Sequence, residues 1–185
     1  MRILNINNLA PDFTMPDVNG NEIHFYDYKG KKILLCFFRY ATCPFCTVRF
    51  VRLSQEAERY SKLGVQVIGV FESSAEYIKK YLGSRGLTFP VIPDPAGELY
   101  RIYGVKKSLP GLMFGMFRMP TMLRALFDPE YRMAKPDGSI TRIPADFIVN
   151  ADLSIADIYF GNDIGDHIPF KRVDKFAQKE KGDEA

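Results

Sequence analysis

Residues Ile33-Leu34-Leu35-Cys36-Phe37-Phe38 are apolar at every position, and Cys43-Pro44-Phe45-Cys46 follows five residues later. An unbroken apolar run of this length suits a strand covered on both faces. Beyond the cysteines, Cys46, Phe50, Leu53, Ala57 and Tyr60 recur at steps of four and three, which predicts a helix. Arg49, Arg52, Glu56 and Arg59 fall on its other face, and Gly64 ends it. The chain must therefore bury a strand, turn at a Cys-x-x-Cys and lay a helix back over the sheet. That placement is the pattern of a dithiol–disulfide centre. Residues i and i+3 of a first helical turn lie about 5–6 Å apart at Cβ, so modest adjustment brings their sulfurs into bonding range. Free N–H groups and the positive dipole end at the helix start favour a thiolate. Thiol pKa values in such motifs fall from about 8.5 to roughly 3.5–7.5.

The rest of the chain alternates strands and helices. Val18-Asn19-Gly20-Asn21 predicts a turn, with Glu22–Phe25 returning as the second arm of a hairpin. Val65–Phe71 is a second buried strand, and Ser73 and Ser74 are N-cap candidates for a helix through Leu82. Phe89–Ile92 is a short strand and Ala96–Tyr103 a short helix. Leu109–Met133 holds Met113, Met116, Met119, Met122 and Met133 between prolines, and reads as an inserted pair of short apolar helices. Ser139–Ile143 is a strand edge, Asp146–Asn150 and Ser154–Phe160 are strands, and Phe170–Gln178 is the last helix. Strands alternating with helices predict parallel pairing in the middle of the sheet, and hairpins at the two ends predict antiparallel edges. The expectation is an α/β, thioredoxin-like mixed sheet with helices on both faces, an N-terminal hairpin and a helical insert near 109–133. One domain over 1–185 is expected, with 179–185 a frayed polar tail.

A chain of 185 residues, 46% apolar and 25% charged, can bury a full core. A net charge of +3, scattered along the chain, argues against a nucleic-acid partner. The first residues, Met1-Arg2-Ile3-Leu4-Asn5, lack a long apolar segment, so no signal peptide is expected. No stretch is long and uncharged enough to span a membrane. Three cysteines, two in one motif, do not make a secreted disulfide framework, so a reducing cytoplasm is the expected home.

Several segments carry a family resemblance. Ala10-Pro11-Asp12-Phe13, the turn at Gly20, Gly30-Lys31 and the strand leading to the cysteine motif resemble the AhpC/TSA group, the peroxiredoxins and redoxins. Phe89-Pro90-Val91-Ile92-Pro93-Asp94-Pro95, Glu98-Leu99-Tyr100 and Pro144-Ala145-Asp146-Phe147-Ile148-Val149 continue it, so that it covers about residues 8–178. Phe38–Cys46 and Gly161–His167 are similar to a peroxiredoxin-like branch that carries Cys-x-x-Cys. The sequence also departs from the family. Typical peroxiredoxins carry Pro-x-x-x-Thr-x-x-Cys. Counting back from Cys46 puts Cys43 and Arg39 at the Thr and Pro positions; counting back from Cys43 puts Tyr40 and Cys36 there. The family's arginine before the late strand aligns with Pro144, where thioredoxin-like disulfide enzymes have a proline, usually cis.

The resemblance implies a thiol oxidoreductase that reduces peroxides or disulfides through a reversible Cys43–Cys46 disulfide, without a tightly bound cofactor. Cys43, ahead of the helix, is expected to be the more exposed, lower-pKa nucleophile, and Cys46 the resolving thiol. Thr42, Pro44, Arg39 and a cis Pro144 are the expected supporting residues, with Ile143 laid against the disulfide. Arg39 and Arg49 could add positive potential, against the alternative of solvated surface arginine. Cys36 reads as core and His167 as a surface-loop histidine. The implied partners are a peroxide or a disulfide substrate and a thiol reductant such as a thioredoxin or glutathione system, with no membrane. The methionine-rich insert reads as a hydrophobic cover or subunit contact, which admits a homodimer. Two alternatives remain: a thioredoxin-type disulfide oxidoreductase with little peroxidase activity, and a copper-binding module using Cys43, Cys46 and His167 or insert methionines.

Overall fold

The computed structural model describes residues 4–116 and 135–178. Much of the insert and the 179–185 tail therefore lie outside the described residues. The main sheet has strand order β5-β4-β3-β6-β7. Its members are β3 (Lys32–Phe37), β4 (Val65–Phe71), β5 (Val91–Pro93), β6 (Ala145–Val149) and β7 (Ile155–Phe160). β3, β4 and β5 run parallel, while β6 and β7 are antiparallel additions beside β3. The parallel half reaches one edge of the sheet, so only the β7 side is an antiparallel edge. The N-terminal hairpin, β1 (Thr14–Pro16) with β2 (Glu22–His24), is a separate two-stranded sheet rather than an edge of the main one. The Asp17 carboxylate closes its loop by accepting the Asn19 and Asn21 N–H groups, both at 2.8 Å. Val18 N–H donates to Val91 O at 2.7 Å and ties the hairpin to β5.

Helices α1 (Pro44–Lys62), α2 (Ala75–Leu82), α3 (Glu98–Ile102), α4 (Leu109–Met116) and α5 (Phe170–Gln178) complete the described elements. Ser74 caps α2 through its hydroxyl, which accepts the Tyr77 N–H at 3.2 Å. The expected strand edge at Ser139–Ile143 is a loop with one bridge, Lys107 to Arg142. A turn bond from Arg142 N–H to Ser139 O breaks strand geometry there.

The pleat of β3 divides the core. Ile33, Leu35 and Phe37 join one apolar cluster with Leu99, Tyr100 and Phe147. Leu34, Cys36 and Phe38 face the other with Phe50, Leu53, Ala57 and Tyr60 of α1. Phe38 stacks on Phe71 at 4.5 Å, and Phe50 meets both edge-on at 6.1 and 5.9 Å. This aromatic block seats α1 against the sheet at the end where the cysteines lie. Phe50→Ala should remove about 3–5 kcal/mol of stability, read as a lower denaturation midpoint at unchanged slope.

Candidate functional site

The site is built where β3 stops. Tyr100 Oη donates to Phe38 O at 2.7 Å and to Val70 O at 3.1 Å, pinning the strand end. Cys43 N–H returns to Tyr40 O at 3.0 Å, forming a tight turn over Tyr40–Cys43. Ala41 N–H donates to Ser73 Oγ at 2.8 Å, and Ser73 donates to Asp137 Oδ1 at 2.7 Å. Cys43 is then the N-cap of α1 in extended conformation, with the half-buried Pro44 as the first helical residue, where its missing N–H loses nothing.

Arg39 is the residue this turn delivers. It is 2% exposed, not a solvated surface arginine. Its Nη1 donates to Cys43 Sγ at 3.1 Å and its backbone N–H to Cys46 Sγ at 3.3 Å. Nη2 is anchored on Ile140 O. The Cys43 thiol is lowered from 9.0 to about 6. Burial opposes this, but a hydrogen bond from the Cys46 thiol, the Arg39 charge and the Cys46 and Phe45 N–H groups outweigh it. Cys46 moves well upward, through burial and then through its bond to Cys43 and the charge there. Cys36 is also pushed well up, by burial and the Asp146 charge.

Both motif sulfurs are unlinked thiols, and neither reaches solvent: Cys43 is 0% and Cys46 1% exposed. The expected greater exposure of Cys43 is not found, because the Tyr40–Thr42 turn folds over it and Ile143 packs in the same cluster. Thr42 Oγ1 and Arg39 Nε are buried beside it with no hydrogen-bond partner among the described residues. The cis Pro144 is likewise corrected: no described peptide bond is cis. Ile143 N–H donates to Lys106 O at 3.1 Å and Pro144 O accepts from Gly161 N–H at 2.9 Å, holding an extended run into β6 that suits a trans bond. Arg142, two residues earlier, does not face the sulfurs. It pairs with Glu72 through Nε at 3.0 Å and Nη2 at 2.9 Å. The guanidinium at the sulfur thus comes from β3's end, not from the loop before β6.

His167 is not on the surface. It is 8% exposed, and its Nδ1 lies 3.0 Å from the fully buried Asp146 carboxylate on β6. Ile168 N–H donates to the same carboxylate at 2.7 Å. A lone aspartate in the apolar run of β6 was the sequence signal of this pair. Among the described residues no group of three or more His, Cys, Asp and Glu side chains could hold a metal ion. No described helix is long and apolar enough to cross a membrane.

The loop over Arg39 is tightly fitted. A Cβ on Gly138 would sit 2.2 Å from Glu72 O and 3.0 Å from Tyr40 Cβ. Gly138→Ala should therefore cost about 1–3 kcal/mol and, by shifting Ile140 O, raise the Cys43 pKa. Thermal unfolding and thiolate absorbance read the two effects separately.

Comparison with known proteins agrees with this architecture. A mutant Xylella fastidiosa PrxQ superposes with a TM-score of 0.68 at 13% identity, covering 98% of each chain. Peroxidoxin BcpB from Mycobacterium tuberculosis gives 0.66 at 16% identity over 95% of each. In sequence, Peroxiredoxin Bcp of Escherichia coli is 27% identical over 150 residues, 80% of this chain and 89% of that protein. A Mycobacterium tuberculosis relative named for the peroxiredoxins is 30% identical over 95 residues, and the match spans 51% of this chain but only 60% of the relative. The profile of the AhpC/TSA family matches residues 6–158, across the strand, the cysteine motif and the late strands described above, and the chain therefore belongs to the AhpC/TSA family.

Proposed function

We propose that this protein is a thiol-dependent oxidoreductase of peroxiredoxin type, with Cys43 as nucleophile and Cys46 as resolving thiol. The observation that carries the reading is the buried guanidinium of Arg39 on Cys43 Sγ. It holds a thiolate at neutral pH and leaves Nε, with Thr42 Oγ1, free to receive the oxygens of a peroxide. The Cys43 thiolate attacks one peroxide oxygen, the O–O bond breaks, and the leaving alkoxide or hydroxide takes a proton. Cys46 then attacks the Cys43 sulfenic acid, the S–S bond forms and water leaves. A dithiol of the thioredoxin class or a glutathione system restores both thiols by exchange. No bound cofactor takes part.

A thioredoxin-type disulfide exchanger is the second reading. Its motivation is the helix-start dithiol itself. Burial of both sulfurs argues against it, since a protein disulfide needs far more room than a peroxide. Stopped-flow peroxide consumption compared with insulin reduction separates the two; peroxide reacting no faster than with a free thiol would sink the peroxidase reading.

Arg39→Met tests the carrying contact. Its expected result is a Cys43 pKa raised by about one to two units and a neutral-pH rate lowered roughly tenfold to a hundredfold. The wild-type rate should climb through about pH 6 and the variant's climb at higher pH. An unmoved thiolate titration in a folded Arg39→Met protein would remove arginine from the mechanism.

A further inference from the structure

A second polar feature stands beside the motif and has no part in the chemistry above. Between the first turns of α1, the loop before α5 and the start of α5 lies a cavity of about 500 Å³. Phe45, the second of the two residues between the cysteines, forms one wall, and Arg49, Arg52, His167, Phe170 and Lys171 are among the others. The volume suits a ligand of a few hundred daltons.

The chemistry of the walls is one-sided. Arg49 and Arg52 flank the Phe170 ring, their guanidinium carbons 4.0 and 4.6 Å from its centroid. Lys171 adds a third cation at the rim. The wall's carboxylate, Asp166, already accepts from Tyr159 Oη at 3.0 Å and from both nitrogens of Asn162 at 2.9 Å. Two sets of polar atoms remain unused. Arg49 Nε and Nη2 are buried donors with no hydrogen-bond partner among the described residues, and Nε2 of His167, a side chain more than nine-tenths buried, is likewise without one. His167 Nδ1–H donates to Asp146, so Nε2 points away from that carboxylate and offers a lone pair. Buried donors without acceptors are rare and destabilising. The two on Arg49, behind a cationic, aromatic-lined cavity, call for an acceptor that carries negative charge and fits a planar fork, which is a carboxylate, while the lone pair of His167 calls for an N–H.

We propose that this cavity is the docking site for a small organic carboxylate, of the size of an acidic tripeptide thiol or its disulfide. The carboxylate sits on Arg49, a ligand N–H donates to His167 Nε2, and apolar ligand atoms lie on Phe45 and Phe170. Arg52 and Lys171 draw the anion in from solvent. The assignment deepens the redox reading and rests on it for the thiol part of the ligand alone; recognition of the carboxylate is independent of it. A substrate carboxylate and the carboxylate of a reductant would be held in the same way.

Calorimetry with S-methylglutathione tests the site without any thiol exchange, because that probe keeps both carboxylates and has no free sulfhydryl. It should bind the wild-type protein, and its diethyl ester should bind at least roughly tenfold more weakly. Arg49→Gln, and separately Lys171→Gln at an exposed position that packs against nothing critical, should each weaken binding, Arg49→Gln by roughly tenfold or more. Lys31→Gln, in the turn at the opposite end of β3, should leave it unchanged. Melting temperatures confirm that each variant is folded. Wild-type protein that fails to bind millimolar S-methylglutathione, or binds acid and ester equally, overturns the proposal; so does inorganic sulfate competing as well as the tripeptide. Because the probe is not redox-active, these results stand whether or not Cys43 consumes peroxide. Conversely, glutathione-dependent turnover arises only if both readings hold, and it should fall in Arg49→Gln.

Discussion

Cys43→Ser should abolish peroxide consumption, while Cys46→Ser should permit one fast oxidation per chain and then stall. The asymmetry comes from the site's electrostatics rather than from exposure, since both sulfurs are buried. Arg39 and the N–H groups of Phe45 and Cys46 converge on Cys43, whereas at Cys46 burial and the charge on Cys43 outweigh the Arg39 guanidinium and N–H. A serine hydroxyl at position 43 ionises far above neutrality and has no comparable nucleophilicity toward an O–O bond. With Cys46 replaced, the Cys43 sulfenic acid has no neighbouring thiol to close on and moves up the oxidation ladder to the sulfinic acid. Mass spectrometry of the intact chain reads the difference directly. Wild-type protein should lose two hydrogens, and Cys46→Ser should gain one and then two oxygens. Undiminished turnover in Cys43→Ser would remove this cysteine as nucleophile.

The second large effect falls on stability. Asp146→Asn should destabilise the fold by about 1–3 kcal/mol, the usual loss when buried donors are left without their acceptor. Asp146 is fully buried in β6, opposite Cys36 in the sheet register, and its oxygens accept from His167 and Ile168 N–H. Burial alone would raise its pKa. Attraction and hydrogen bonding from His167, the Arg49 charge and the Ile168 N–H instead hold it below 3.8. Because the folded value lies below the unfolded one, the carboxylate's contribution is fully present above 3.8 and is lost as pH falls through the folded value. Urea midpoints of the wild-type protein should therefore drop on acidification below 3.8. Those of Asp146→Asn should start lower and lack that part of the dependence. Equal midpoints at neutral pH would show that the pair contributes nothing net.

Local pattern made much of this protein readable. The helix over Phe170–Gln178 and the mostly apolar strand at Val65–Phe71 lie where the sequence places them. The face of α1 that carries Cys46, Phe50, Leu53, Ala57 and Tyr60 is the buried one. These are periodic signals, and periodicity survives any tertiary arrangement. The hairpin was readable as a hairpin, but not its separation from the main sheet, because a turn says how two strands meet and nothing about a third. At Pro144 the resemblance to disulfide enzymes suggested a cis bond, and the hydrogen bonds on either side hold an extended trans run instead.

Where the chemistry lies is legible along the chain: a strand, two cysteines one helical turn apart and a helix are local statements, and local spacing fixes them. Which charge reaches the sulfur is settled by the packing of the fold. Arg39 and Arg142 are both arginines at the end of a strand or loop, and no pattern separates them. The turn at Tyr40–Cys43 folds one guanidinium onto Cys43, while Glu72 captures the other. His167 likewise became a buried partner of Asp146 because two segments twenty-one residues apart meet at β6. Long-range electrostatics depends on distance through space, and distance through space is what a linear sequence does not carry.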